Sequence, residues 1–387
     1  MAGGARSLRL APSVRDSIAA MLRRFANPLV GLVAMLLSLG LAEGIVRGLG
    51  LAPEVHPIDV GENASVWQRS TDPILGFELK PDYRDDDPDF VVSYERTNSH
   101  GQRDLERGLA KPPGTRRILL LGDSVVEGSG LRSLDDTLSR WMERLAGDPR
   151  VEVLNFGVSG YCTRAEVELL EVKGLAFEPD VVVVVFVEND FDDFNRQLFQ
   201  LESSTPRPAW VKPLFLHSHL FRAAALELDW FGLRADADPM GRNREAIGKN
   251  NVAEGLARLR ELALANGFAP VVAIWPSFLD DEIRDVHPMP GGGDELVVER
   301  LARANGIPAL RLSEAFRRDR DARSEPANPR LAYTNGDGMH PSSAGARLAA
   351  QAILEALPGL EAQARTGLAR APSPPDAELL RAAQGRG

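Results

Sequence analysis

The chain has 387 residues, 44% apolar and 26% charged, a size and balance that suit one large packed domain with appended segments. Its 45 Lys and Arg against 55 Asp and Glu give a formal net charge of −10, which argues against general nucleic-acid binding, because phosphate recognition needs a basic surface. With one cysteine, Cys162, no intrachain disulfide can form.

Residues 1–24 are a basic lead carrying Arg6, Arg9, Arg15, Arg23 and Arg24. The eighteen residues Phe25 to Ala42 are uncharged and mostly apolar. As a helix they rise about 27 Å, close to the roughly 30 Å of a bilayer's hydrocarbon. We read residues 25–46 as a single transmembrane signal anchor. The arginines before it place the lead in the cytoplasm and everything after it on the periplasmic or extracellular side of the inner (plasma) membrane. Gly40-Leu41-Ala42 also fits a signal-peptidase site, but the long basic lead and long apolar run favour an uncleaved anchor.

Residues 47–115 are rich in Pro, Asp and Gly and read as a linker and small cap. Thr71-Asp72-Pro73 and Arg84 to Asp89 are turn signals, and Phe90 to Tyr94 reads as one short strand. From Arg116 the pattern changes. Ile118 to Leu121 is a buried parallel strand by pattern, closed by Gly122. Ser133 with Asp136 forms a capping-box-like start to a helix bearing Leu134, Leu138, Trp141, Met142 and Leu145. Val151 to Phe156 is a second strand, and 164–175 a helix. The β-branched run Val181 to Val187 is a central strand buried on both faces. Residues 195–250 break the rhythm and read as an insertion. A helix over 251–265, strands at Pro270 to Trp275 and Ile307 to Leu312, and a helix over 343–357 follow. Residues 359–387, poor in large apolar side chains, read as a disordered tail.

Alternating strands and helices predict an α/β fold over 116–358. It is a three-layer α/β/α sandwich with a mostly parallel five-stranded sheet. Ligands of such sheets bind outside the carboxyl ends of the strands. Polar groups collect there: Gly122-Asp123-Ser124, then Asn155 to Gly160, then Glu188-Asn189-Asp190, and, just before the last helix, Asp337-Gly338-Met339-His340-Pro341. A serine nucleophile needs a base. His340 is that candidate base, and Asp337, three residues earlier, is placed to orient its ring. Oxyanion donors are the backbone N–H groups of Ser124 and Gly160 and the side-chain amide of Asn189. Asp123, Asp190 and Asn155 read as loop-holding residues, and Cys162 as a small buried side chain.

These blocks resemble the SGNH (GDSL-type) hydrolase family, in which a serine, a glycine, an asparagine and a histidine occur in this order. Here they are Ser124, Gly160, Asn189 and His340, with Asp337 matching the family's aspartate. The resemblance runs from about Arg116 to about Leu357. It implies a flavodoxin-like fold and metal-free hydrolysis of carboxylic O-acyl esters through an acyl-enzyme. Asp72-Pro73-Ile74-Leu75-Gly76 ahead of the first block resembles a membrane-anchored bacterial subgroup. Val125 stands where leucine is usual, and Val187 where the third block usually has glycine. The valine at 187 is expected to bear on the pocket and the acyl chain accepted.

Two other functions fit the same residues. An O-acyltransferase acting on a cell-surface polysaccharide would use the triad with a sugar hydroxyl in place of water. A non-catalytic binding protein would keep only the fold. His217-Ser218-His219 lacks a third ligand in zinc spacing, and neither H-E-x-x-H nor G-x-S-x-G occurs. No cofactor and no metal are expected. The expected partners are a small-molecule or carbohydrate acyl ester and, through the N-terminal helix, a membrane.

Overall fold

The computed structural model describes residues 14–52, 66–84, 96–191, 207–233, 247–291, 293–323 and 327–383. They form two compact units: the N-terminal helix with 207–233, and the described residues from 66 to 191 and from 247 to 383.

The larger unit opens with an antiparallel pair, β1 (Trp67–Arg69) and β2 (Phe77–Leu79). The turn between them is Asp72 to Gly76, where Asp72 Oδ1 accepts the N–H groups of Ile74 and Leu75. Next come β3 (Arg116–Gly122), β4 (Val151–Gly157), β5 (Val181–Phe186) and β6 (Ala269–Ile274). A short antiparallel pair, β7 (Ser277–Phe278) with β8 (Ile283–Arg284), precedes β9 (Ala309–Arg311). Five strands make one parallel sheet in the order β4-β3-β5-β6-β9. The chain runs outward from β3 to β4, then returns to β5 on the other side of β3. That reversal opens a crevice between the carboxyl ends of β3 and β5.

Apolar runs form these strands because both faces are covered. Leu119, Leu121, Val182 and Val184 belong to one buried cluster, packed with Thr163–Val172, Asn251–Asn266 and Val297–Ala304. Ile118, Leu120, Val183 and Val185 belong to the other, with Leu138–Ala146, Ser313–Asp321 and Ser343–Leu368. This is the expected three-layer sandwich.

Several boundaries differ from the sequence reading. Ser133 caps a 3-10 turn, Leu134–Asp136, and the α-helix begins only at Leu138. The last sheet strand is shorter than expected, as befits an edge with one partner. The final long helix continues to Leu368, because Leu357, Leu360 and Ala364 extend its buried stripe. The tail read as disordered carries a further helix, Ala377–Ala382. Asp376 caps it, and Leu379 and Ala383 are buried in the core. Its alanines, leucines and arginine favour helix, and two apolar side chains suffice to dock so short an element. The stretch read as linker and cap holds buried polar residues: Thr97, Asn98, Gln102, Arg103 and Asp104. Some of their partners lie within the stretch, as where Asn98 Nδ2 donates to Gln102 Oε1 and the Leu105 carbonyl, and some outside it, as where Asp104 Oδ2 accepts the Asn155 N–H. The strand expected at 90–94 and much of the insertion, 195–206 and 234–246, lie outside the described residues.

In the smaller unit the helix Val14–Gly48 contains Val30–Gly48, long and apolar enough to cross a membrane by length and composition. Two short helices, Val211–His217 and His219–Glu227, pack through Val211, Phe215, Ala225 and Leu233.

Candidate active site

β3 ends at Gly122, and Asp123 turns the chain into the short helix Ser124–Glu127. Asp123 is its N-cap: Oδ1 accepts the Val125 N–H at 2.8 Å. The helix lies directly on the strand ends. A Cβ on Gly122 would stand 2.3 Å from Val126 Cγ2, and one on Gly157 only 2.1 Å from the Glu127 nitrogen. Glycine at these two points lets the turn close. Ser124 is thereby 8% exposed, at the mouth of the crevice.

His340 reaches it from a loop 216 residues further along the chain: His340 Nε2 lies 2.8 Å from Ser124 Oγ. On the other side of the ring, Nδ1 lies 2.5 Å from Asp337 Oδ2. Asp337 Oδ1 accepts the backbone N–H groups of Met339 and His340 at 2.8 and 2.9 Å, so the carboxylate builds the turn that carries the histidine. Burial pushes the Asp337 carboxyl upward, but those N–H bonds and the His340 ring outweigh it and hold it below the ordinary value. The loop is fixed at its back by the Trp275 indole N–H, which donates to the Met339 carbonyl at 2.9 Å, and by the Phe278 N–H, which donates to the Gly338 carbonyl.

Asn189 follows β5, in the turn Glu188–Phe191. Its Nδ2 donates to Asp123 Oδ2 at 2.8 Å, and the same oxygen lies 3.5 Å from Ser124 Oγ. Asp123 therefore joins the first and third blocks. Burial raises its carboxyl, opposed by the hydrogen bonds from Val125 and Asn189 and by the nearby His340 ring. Gly160 sits in the turn from Val158 to Tyr161 with φ +85°, a conformation that favours glycine. The Ser159 N–H donates to Glu127 Oε2, which ties this turn to the serine helix. The N–H of Ser124, first in its helix, has no acceptor within that helix.

The structure thus brings Ser124, His340 and Asp337 into one hydrogen-bonded series, places Asn189 against it through Asp123, and links the Gly160 turn to it through Glu127. Of the loop-holding residues, Asn155 donates to the Val126 carbonyl, and Asp190 accepts from the Thr163 hydroxyl. Cys162 is fully buried, and burial pushes its thiol up. Val187 is buried in the apolar cluster that also holds Val185 and Trp275. Among the described residues no group of three or more His, Cys, Asp and Glu side chains is arranged to hold a metal, and Ser218 of His217-Ser218-His219 caps a helix.

Sequence reasoning missed three supports. Arg103 is 1% exposed and donates to the carbonyls of Glu127, Gly128 and Leu131, clamping the chain beyond the serine. Glu127 is wholly buried, and burial pushes its carboxyl up to about 8 against the Ser159 hydrogen bond. Phe77 of β2 lies beside the Gly160 turn: a Cβ on Gly160 would stand 3.7 Å from its ring, which meets Tyr161 edge-on at 5.1 Å. The one sequence signal was the Asp72-to-Gly76 turn that delivers Phe77.

The model of the GDSL-like lipase/acylhydrolase family matches residues 120–348, which include Ser124, Gly160, Asn189, Asp337 and His340. The chain belongs to that family. As a GDSL-like member it is an ester-hydrolysing enzyme. No curated protein matches it in sequence. Solved structures resemble it more distantly. A two-domain esterase active on acetylated mannans is 15% identical, with 68% of this chain and 53% of that one covered and a TM-score of 0.40. The esterase EstA from Pseudoalteromonas sp. is 13% identical, with 63% and 97% covered and a TM-score of 0.36. A lipase/acylhydrolase from Enterococcus faecalis is 16% identical, with 63% and 96% covered and a TM-score of 0.36. At these identities and TM-scores the likenesses assign no substrate to this GDSL-like chain.

Proposed function

We propose that the protein cleaves carboxylic O-acyl esters through an acyl-enzyme on Ser124. The observation that carries this reading is the pair of hydrogen bonds joining Ser124 Oγ, the His340 ring and Asp337 Oδ2. With Nδ1 protonated and donating to Asp337, Nε2 is free to take the serine proton as Oγ attacks the acyl carbon. The imidazolium then returns the proton to the leaving alcohol. Water, deprotonated by the same nitrogen, releases the acid. The tetrahedral oxyanion is received by the N–H groups of Ser124 and Gly160 and by the second hydrogen of Asn189 Nδ2, whose first is engaged by Asp123. Asp123 is thus a positioning residue for Asn189.

The run Val30–Gly48 and the arginines ahead of it support an uncleaved anchor, with the ester-hydrolysing unit on the far side of the membrane from the N-terminus. The test of the chemistry is fluorophosphonate labelling with a panel of acyl esters of rising chain length. Labelling is expected at Ser124, with turnover abolished in Ser124→Ala. An unlabelled, inactive wild type would leave the fold without the reaction.

A further inference from the structure

Among the groups the reaction does not use, the most developed lies in the smaller unit. Glu43 is the first charged residue after Arg24, so it stands where the apolar run Phe25 to Ala42 ends, about 27 Å along the helix. A carboxylate at a hydrocarbon boundary needs partners. Glu43 has four: the Arg47 guanidinium at 3.2 Å, the Ser218 hydroxyl at 2.9 Å, the His219 N–H at 2.9 Å and the Leu220 N–H at 2.8 Å. The last two are orphan donors of the helix His219–Glu227. The carboxylate therefore pins the two short helices to the long one at one depth.

A groove of about 1050 Å³ opens between them, with Leu39 and Gly40 on one wall and Leu214 and Phe221 on the other. Trp210 and Trp230 also line it. With Phe231 they form an aromatic cluster: ring centroids are 5.5 Å apart for Trp210 and Phe231 and 5.9 Å for Phe221 and Trp230. These rings face outward, Trp210 53%, Phe231 43% and Trp230 42% exposed. So much aromatic surface in one place marks an interaction site, and tryptophan is the side chain enriched at the level of lipid headgroups. Arg47, which also lines the groove, donates to the His217 carbonyl and to Glu43 and keeps further N–H groups for a phosphate.

We infer that the helical pair at 211–227 is an interfacial foot. Its groove holds the acyl chain of a phospholipid in the leaflet where the anchor emerges, with Trp210 and Trp230 at headgroup level and Arg47 at the phosphate. The continuity of the groove with the membrane-crossing helix, and the depth set by Glu43, select lipid over a soluble partner. This inference rests on the anchor reading above.

The full chain is reconstituted in nanodiscs of phosphatidylcholine and phosphatidylglycerol, with ordinary or brominated acyl chains, and tryptophan emission is compared. Brominated chains are expected to quench the wild type clearly. The double variant Trp210→Phe/Trp230→Phe is expected to lose at least half of that quenching, and Glu43→Ala to weaken it. Turnover of a water-soluble ester should be unchanged in both. Unquenched emission from a chain that stays with the discs would overturn the lipid site while leaving the anchor intact. So would quenching that the double variant retains, or crosslinks between Trp210 regions of two copies. A chain that remains in detergent-free buffer and never enters discs would overturn the anchor, and the lipid site with it.

Discussion

Ser124 and His340 meet at 2.8 Å, yet the elements that carry them are held in different ways. The serine side is buried. Its four-residue helix is capped by Asp123, clamped by Arg103, tied to the Gly160 turn by Glu127 and pressed against two strand ends through Gly122 and Gly157. The histidine side is a partly exposed loop. Asp337 makes both its turn and its ring contact, with Trp275 and Phe278 behind it. Ser124 is thus positioned by the core, and His340 largely by one carboxylate. Changes to the residues that support Ser124 should therefore reach stability as well as rate, and changes on the histidine side should act on rate alone.

The largest effect belongs to the residue both sides share. Ser124→Ala should lower kcat for an activated ester by about 10⁴-fold or more, with an unchanged thermal melt. A residual rate within tenfold of wild type would place the nucleophile elsewhere. Asp337→Asn probes the exposed side. It keeps an oxygen for the Met339 and His340 N–H groups but removes the charge that holds the ring's tautomer. A fall of about 10⁴-fold in kcat at constant melting temperature is expected. A melt lowered by many degrees would show that the loop depends on the carboxylate for its fold. Asn189→Ala removes the proposed oxyanion donor and strips buried Asp123 of a partner. The expectation is a loss of about 10²–10³-fold in kcat together with measurable destabilisation.

Glu127 offers the sharpest contrast, because its effect is on stability and follows pH. Its folded carboxyl titrates near 8 against an ordinary value of 4.5, because burial favours the neutral form. Between those two values the folded state keeps a proton that the unfolded chain has released, so stability falls as pH rises through that window and levels off above it. At about 1.4 kcal/mol per unit this reaches a few kcal/mol. Glu127→Gln should flatten the slope in denaturant titrations at pH 5, 7 and 9. A slope equal to wild type would mean that the carboxyl is ionised throughout. The smallest effect is expected of Phe77→Ala. It removes a ring beside Gly160 without touching the triad, and should change the preferred acyl length while kcat on the shortest ester moves less than about tenfold, the scale of a pocket methylene or two.

Sequence alone determined the α/β class, the positions of all five sheet strands to within a few residues, and the identity of the polar groups at their carboxyl ends. Those features are local: a β-branched run such as Val181 to Val187, a glycine that closes a strand, and a histidine three residues after an aspartate are readable within a short window. Tertiary structure decided what depends on distant segments meeting. The Asp123–Asn189 hydrogen bond, the Arg103 clamp, the burial of Glu127, the approach of Phe77 to Gly160 and the docking of Leu379 each join parts of the chain that share no pattern. Nothing in the local pattern singles out Arg103 or Glu127, because periodicity reports which face of an element is apolar. It does not report which polar side chain another segment will cover, and that covering fixes both the hydrogen-bond partners and the proton affinity of these groups.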